Sequence, residues 1–164
     1  MNISRKKKNN KKKTFLNKKA KYNFHIKKTI ISGIVLEGWE VKSIRSGFVQ
    51  ITEGHIYIKK NEAYLSGVYF QPLLNTSDSI SCQSNRIRKL LLKKKEIHNL
   101  SVYSKRKGYT IIPIKLFWSR SWCKIKIGIA KGKSIQDKRL DKKNNSWKIE
   151  QSTIFKRISI NKIE

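Results

Sequence analysis

From Trp122 to Ala130 the chain alternates without a break, with Cys123, Ile125, Ile127 and Ile129 in one set and Lys124, Lys126, Gly128 and Ala130 in the other. Successive side chains of a strand point to opposite faces, so this pattern specifies a strand with an apolar face on a core and a basic or small face toward water. Any fold of this chain must bury one side of the strand and leave the other wet. From Lys131 glycine and lysine take over, so the sheet is expected to end near residue 130 and a basic tail to begin. The run Gly128-Ile-Ala-Lys-Gly132-Lys133-Ser134 looks like a phosphate-binding loop, which needs four residues between its glycines, but here there are three. Closed one residue short, it is too tight to wrap a phosphate in backbone amides, and it reads as a strand end followed by solvated lysines.

Charge narrows the partner. The 164 residues carry 39 Lys+Arg against 10 Asp+Glu, a formal +29, far more than solubility requires, so the expected partner is a polyanion and nucleic acid comes first. Ile and Asn are abundant beside Lys, as the codon bias of an A/T-rich genome would produce, so lysine position matters more than lysine number. The length suits one core domain with tails. Cys82 and Cys123 lie far apart with no C-x-x-C spacing, so neither a disulfide framework nor a zinc site is expected, as for two thiols in a reducing cytosol. His25, His55 and His98 are scattered and no G-x-S-x-G is present, so an enzyme is not expected, nor any cofactor. No apolar run of signal-peptide or membrane-span length follows the basic N-terminus, and a soluble cytoplasmic protein without membrane contact is expected.

In chain order, residues 1–14 form a basic arm expected to be disordered, with the run Arg5 to Lys13 rich in lysine. Residues 15–24 mix bases and aromatics and fit one helical turn leading into a strand at 27–36, with Ile30, Ile34 and Leu36 on one face. Residues 37–47 then read as a helix: Glu37 and Glu40 in the first turn, Arg45 in the last, Gly47 as the stop. Two acids three apart also fit a general acid/base pair, but the helix dipole accounts for them without chemistry. Ile51, Ile56 and Ile58 and then residues 63–70 give two strands joined by a Lys59-Lys60-Asn61-Glu62 turn. A long loop at 71–83 follows, then a basic cluster from Asn85 into Leu90 to Leu92.

Residues 93–106 read as a helix with Ile97, Leu100 and Tyr103 toward the core, stopped by Gly108. The strand at 109–118 contains Pro113, which places it at an edge or at a bulge, and Ser119-Arg120-Ser121 turns it into the strand of the opening paragraph. Five or six short antiparallel strands with inserted helices suit a mainly β fold, a small closed oligonucleotide-binding (OB-type) barrel over residues 15–130, with about three peripheral helices. In the tail, 131–164, Trp147, Gln151, Ile154, Phe155 and Ile158 fall at helical spacing. Periodicity leaves two readings open, a helix docked on the barrel or a segment that folds on a partner's surface.

Three stretches together carry a family resemblance: V-L-E-G-W-E-V-K-S-I-R at 35–45, R-I-R-K-L-L-L at 86–92, and W-C-K-I-K-I-G-I-A-K-G-K from 122 followed by D-K-R at 137–139. In order and spacing they resemble the SsrA-binding protein (SmpB) family, over most of the chain from about residue 16 to 155. The resemblance implies an OB-type barrel that binds the tRNA-like domain of transfer-messenger RNA (tmRNA) for ribosome rescue and peptide tagging. The alanine-charged RNA, served by alanyl-tRNA synthetase and carried by EF-Tu, would enter ribosomes stalled without a codon. The barrel would stand in for part of the missing anticodon arm, as a monomer in the complex. The tail would lie in the vacant mRNA channel, helical from about residue 145 when bound, against small-subunit rRNA; this favours folding on binding.

Carried over by motif, Asn17, Lys18, Lys19, Arg45, Arg86, Arg88, Lys89, Lys124, Lys126, Lys131 and Lys133 would hold the RNA, mostly at phosphates and 2′-hydroxyls. Gln136, Asp137, Lys138, Arg139, Trp147, Ile154, Phe155 and Lys156 would engage the decoding centre and channel wall. Two positions depart from the family pattern. Ile31-Ser32-Gly33 stands where Glu-Ala-Gly is usual, removing an acidic RNA contact, and Gln136 stands where His is frequent, so that side chain cannot become cationic. The rival reading is a structural RNA binder such as a small ribosomal protein, for which charge and barrel suffice but a separate amphipathic tail has no purpose.

Overall fold

The structure, a computed structural model, describes residues 13–73 and 82–160; in the last helix the side chains at 145, 148 and 156–160 fall outside that description. The chain opens with β1 (Phe15–Leu16) and α1 (Lys18–Asn23), followed by β2 (Phe24–Ile34) and α2 (Gly38–Ser46). Then come β3 (Val49–Gln50), β4 (His55–Lys59), β5 (Glu62–Ser66), β6 (Tyr69–Phe70) and β7 (Arg88–Leu91). The remainder is α3 (Lys94–Ser104), β8 (Tyr109–Ser119), β9 (Trp122–Gly132) and α4 (Ile135–Ile160). Residues 1–12 of the arm expected at 1–14, and 74–81 of the expected long loop, lie outside the described residues.

The alternating strand is β9, and it sits inside the sheet, between β8 and β2, in a seven-stranded antiparallel order β1-β8-β9-β2-β7-β5-β4. The remaining pair is β3-β6. β4 returns against β8, curling the sheet into the small OB-type barrel expected of the sequence. Ile125, Ile127 and Ile129 point inward, where they meet Leu116, Leu90, Leu65, Ile44, Phe70 and Leu100 in one core. Each inward aliphatic side chain contributes roughly 1.5–3 kcal/mol by leaving water, so the inner face fixes the register of the sheet.

The turns follow from backbone chemistry. Lys60 and Asn61 both take positive φ (48° and 58°), the two-residue turn that matches strand twist, with Lys59 opposite Glu62. Arg120 (φ 54°) closes the β8–β9 hairpin, with Ser119 opposite Trp122. Gly47 ends α2 in the left-handed conformation (φ 97°) with its N–H on the Ser43 and Ile44 carbonyls. At Pro113, which has no N–H to give, the β8–β9 register shifts before Lys115, the bulge expected of a strand proline.

Several boundaries move. Among the described residues nine strands replace the five or six expected, because β1, β3 and β6 are two residues each, too short to show any period. The first long strand begins at Phe24 rather than 27, since its pairing with β9 starts at Phe24 opposite Gly132. By the same pairing β9 runs to Gly132, past the expected end at 130. There are four helices among the described residues, and the last starts at Ile135. Its start is fixed by a reciprocal cap: Ser134 N–H donates to Asp137 Oδ2 (3.0 Å) and Asp137 N–H to Ser134 Oγ (3.1 Å).

Candidate nucleic-acid interface

The outer face of the barrel is divided by α1. At one end Ala20 and Phe24 pack on Ile112 and Ala130, a small apolar cluster outside the main core. Gly128 leaves room beside it for the side chains of Ile114 and Ile26, since a Cβ there would sit 2.6 Å from Ile114 Cδ1 and 3.2 Å from Ile26 Cγ2. Toward the β8–β9 turn Ile31, Leu91 and Trp122 are exposed, and the register lays out a grid. Trp122, Lys124 and Lys126 follow one another on β9; Ser119, Phe117 and Lys115 lie opposite on β8; Gly33 and Ile31 face Lys124 and Lys126 from β2.

Leu91 extends the grid from β7, opposite Gly33, where a Cβ would meet its side chain at 3.3 Å. Leu16 of β1, opposite Lys115, closes the other edge. Ile31, Leu91, Leu16 and Trp122 are all exposed. The ammonium of Lys115 lies over the Phe117 ring, 5.3 Å from its centroid. β2, β7, β8 and β9 contain no aspartate or glutamate, so this face sets lysines and aromatic rings among exposed aliphatic side chains with no acid on those strands, the chemistry that accepts phosphates and bases.

The motif-derived RNA residues separate into those on the surface and those the fold has used. Arg88 is fully buried, as is Glu40. Its Nε donates to Glu40 Oε1 (2.7 Å), Nη1 to the carbonyls of Val68 (2.9 Å) and Arg86 (2.6 Å), and Nη2 to that of Ser84 (3.0 Å). The guanidinium also stacks 4.0 Å from the Phe70 centroid. Burial pulls it below its ordinary titration range and the Glu40 charge opposes that. A guanidinium so enclosed cannot reach an RNA phosphate, so Arg88 is corrected from RNA contact to core strut.

Arg86 closes the same network, with Nη2 on Glu40 Oε2 (2.7 Å) and Nε on Glu37 Oε1 (3.1 Å). Glu37 also accepts from the Trp39 indole (2.6 Å), and Glu40 Oε2 from the Glu37 backbone N–H (2.8 Å). The two acids that matched an acid/base pair, or a dipole effect alone, are the counter-charges of two arginines.

Asn17 is likewise corrected. Its Oδ1 accepts from Ala20 N–H (3.0 Å) to cap α1, and its Nδ2 donates to the Pro113 carbonyl (3.0 Å); the residue is buried in these contacts, away from an RNA backbone. Lys133 is turned inward, its ammonium on the Lys21 carbonyl (2.8 Å) and Asp141 Oδ2 (2.6 Å). Lys19 pairs with Glu53 (3.0 Å) and Lys89 with Glu62, which holds that carboxyl below its usual range. Arg45 is exposed at the end of α2 with its guanidinium 5.7 Å from the Trp118 ring. Lys18 and Lys131 are exposed, and Lys124 and Lys126 lie half-exposed at the centre of the grid.

In α4, Gln136, Arg139, Trp147, Ile154 and Phe155 are exposed, and the side chain of Lys156 lies outside the described residues. Asp137 is held below the usual carboxylate range by its Ser134 hydrogen bonds, with His25 (3.9 Å) and Lys133 adding to the effect. Lys138 lies over the Tyr22 ring at 5.8 Å. The first turns of the helix are thus joined to α1 and β2 by polar contacts, and its described apolar side chains, from Ile135 to Phe155, are exposed.

Sequence reading missed Lys115, Phe117 and Trp122 as surface residues, and Leu16 and Leu91 beside them. Their common signal is parity along β8, β9 and their neighbours, but the one-residue bulge at Pro113 shifts that parity and the cross-strand partners are not local in sequence. Burial pushes the Cys123 thiol up to about 12, and both cysteines are free. Among the described residues no three His, Cys, Asp or Glu side chains converge as a metal site, and no helix is long and apolar enough to cross a membrane.

Comparison with known proteins places this geometry. The family profile described as SmpB protein matches residues 14–157. An SsrA-binding protein of Buchnera aphidicola subsp. Acyrthosiphon pisum (strain Tuc7) is 49% identical over 145 residues, 88% of this chain and 90% of its own. One from Alkalilimnicola ehrlichii is 43% identical over 154 residues, 94% and 96% of the two chains. A chain solved under the description "tmRNA-SmpB: a journey to the center of the bacterial ribosome" superposes with a TM-score of 0.62 at 32% identity, covering 77% of this chain and 92% of that one.

Proposed function

The chain belongs to the SmpB family of SsrA-binding proteins, and on that premise we propose how its parts divide the family's work. It binds tmRNA and delivers it to the ribosome for trans-translation. In our reading the tRNA-like domain of tmRNA lies on the outer face of β2, β8 and β9, with Lys115, Lys124 and Lys126 on its phosphates and 2′-hydroxyls. Lysines two apart on a strand stand roughly 6.5–7 Å apart, so the rigid sheet presents a row of charges that recognises backbone shape. Lys18, Lys131 and Arg45 extend the positive field around this face. Alanyl-tRNA synthetase and EF-Tu act on the acceptor end of the RNA and meet this protein only through it.

The second part is α4. Its exposed Trp147, Ile154 and Phe155 and its lysines suit a channel walled by small-subunit rRNA, with Gln136, Asp137, Lys138 and Arg139 at the decoding centre. Gln136 hydrogen-bonds and stacks there without a charge.

The observation that carries the reading is the acid-free lysine grid on four neighbouring strands. It is tested by titrating the isolated tRNA-like domain of tmRNA with Lys124→Ala, Lys126→Ala and the doubly charge-reversed Lys124→Glu/Lys126→Glu variant. Each alanine is expected to lower the slope of log K against log salt by about 1, and the reversal to abolish binding. Parent affinity in all three variants would remove RNA from this face.

A further inference from the structure

We propose that Trp122 is a stacking platform for one unpaired base of the bound RNA, so that the β8–β9 tip reads an extruded nucleobase while the neighbouring lysines hold its phosphates. This rests on the assignment of the outer face to RNA and adds a binding site of different chemistry to it.

Trp122 is 74% exposed, the highest value among the exposed large hydrophobics of the described residues. An indole is expensive to leave in water, and the chain shows how it treats tryptophans that serve only the fold. Trp39 is 5% exposed with its N–H on Glu37. Trp118, one step before the same turn, packs on the core and carries Arg45 over its ring. Trp122 has neither arrangement. It is nevertheless held in place: the two-residue turn at Arg120-Ser121 sets it opposite Ser119, and two residues on, at Lys124, β9 gains its second neighbour, Gly33 of β2.

Its surroundings choose the occupant. Lys124 is the next residue on the same face, Phe117 lies diagonally across the ladder, and Lys115 is beyond it, with no carboxylate on these strands. An aliphatic protein surface laid here would bury the Lys124 ammonium without a partner. A nucleobase brings its own phosphate to that ammonium and a π-face to the indole, and unpaired bases in RNA loops are the ones free to do so.

The test uses the full chain with Trp122→Ala, Trp122→Phe and Lys124→Ala, titrated with the isolated tRNA-like domain and with a fully paired RNA hairpin of similar length. Trp122→Ala is expected to weaken binding to the tRNA-like domain by about 5- to 100-fold with the salt slope unchanged. Trp122→Phe should restore most of the affinity, and the paired hairpin should not distinguish the variants. RNA-dependent quenching of tryptophan fluorescence should be smaller in Trp122→Phe than in the parent. Parent affinity in Trp122→Ala beside a loss in Lys124→Ala would overturn the platform and leave the RNA face standing. Parent affinity in both would overturn the RNA face itself.

Discussion

Glu40 holds two arginines, the N-terminal turn of α2 and, through Arg88, the carbonyls of residues 68, 84 and 86. Replacing it with Gln keeps the shape and removes the charge, leaving a buried guanidinium uncompensated. Equilibrium unfolding in urea should show Glu40→Gln destabilised by ~3–5 kcal/mol, and a cost below about 1 kcal/mol would mean the carbonyls alone suffice. Cys123 gives a second reading at this scale. Its thiol, raised from 9.0 to about 12 by burial, stays protonated in the fold while an unfolded one ionises, so stability falls as pH rises across that window. Cys123→Ser should flatten the fall, as measured by unfolding at pH 9 and 11. The burial of Arg88 was not legible in the sequence: an R-I-R run in a basic chain looks like surface, and only the fold brings Glu40 to it from another element.

Local chemistry made the elements easier to read than the residues. The α2 glycine stop and the strand-proline bulge follow from the backbone preferences of Gly47 and Pro113, and Asn61 suits its turn; Lys60 and Arg120 take a left-handed conformation that their residue types rarely adopt, so those two turns were visible from the polar break between apolar runs. The start of α4 was equally visible in Ser134-x-x-Asp137 but was masked by the polar run around it. Lys133, carried over as an RNA contact, is instead the joint between that helix and α1. Lys133→Met should leave affinity for the tRNA-like domain near the parent value. It should also broaden the distance distribution between spin labels at positions 60 and 147, because Lys133 is the ion-pair joint at the root of α4, whose Trp147, Ile149 and Ile154 are exposed. A loss of RNA affinity with an unchanged distribution would return Lys133 to the RNA face.

At the scale of the whole molecule the net charge of +29 is unevenly used. Glu37, Glu40, Glu62 and Asp141 neutralise arginines and lysines that the fold employs, Arg88 and Lys89 of β7 among them, while Lys115, Lys124 and Lys126 lie on β8 and β9, strands without an acid, and keep their charge for a partner. With roughly six phosphate contacts, log K for the tRNA-like domain should fall with log salt at a slope of about −4 to −5. Most of the architecture was legible because the β9 pattern admits one orientation only. The division between body and helix became legible once side-chain exposure was known. The direct test is removal of residues 142–164, which leaves the Lys133–Asp141 contact intact. The account predicts near-parent affinity for the tRNA-like domain and no peptide tagging on stalled ribosomes. Equal loss of both, or tagging that survives the truncation, would contradict it.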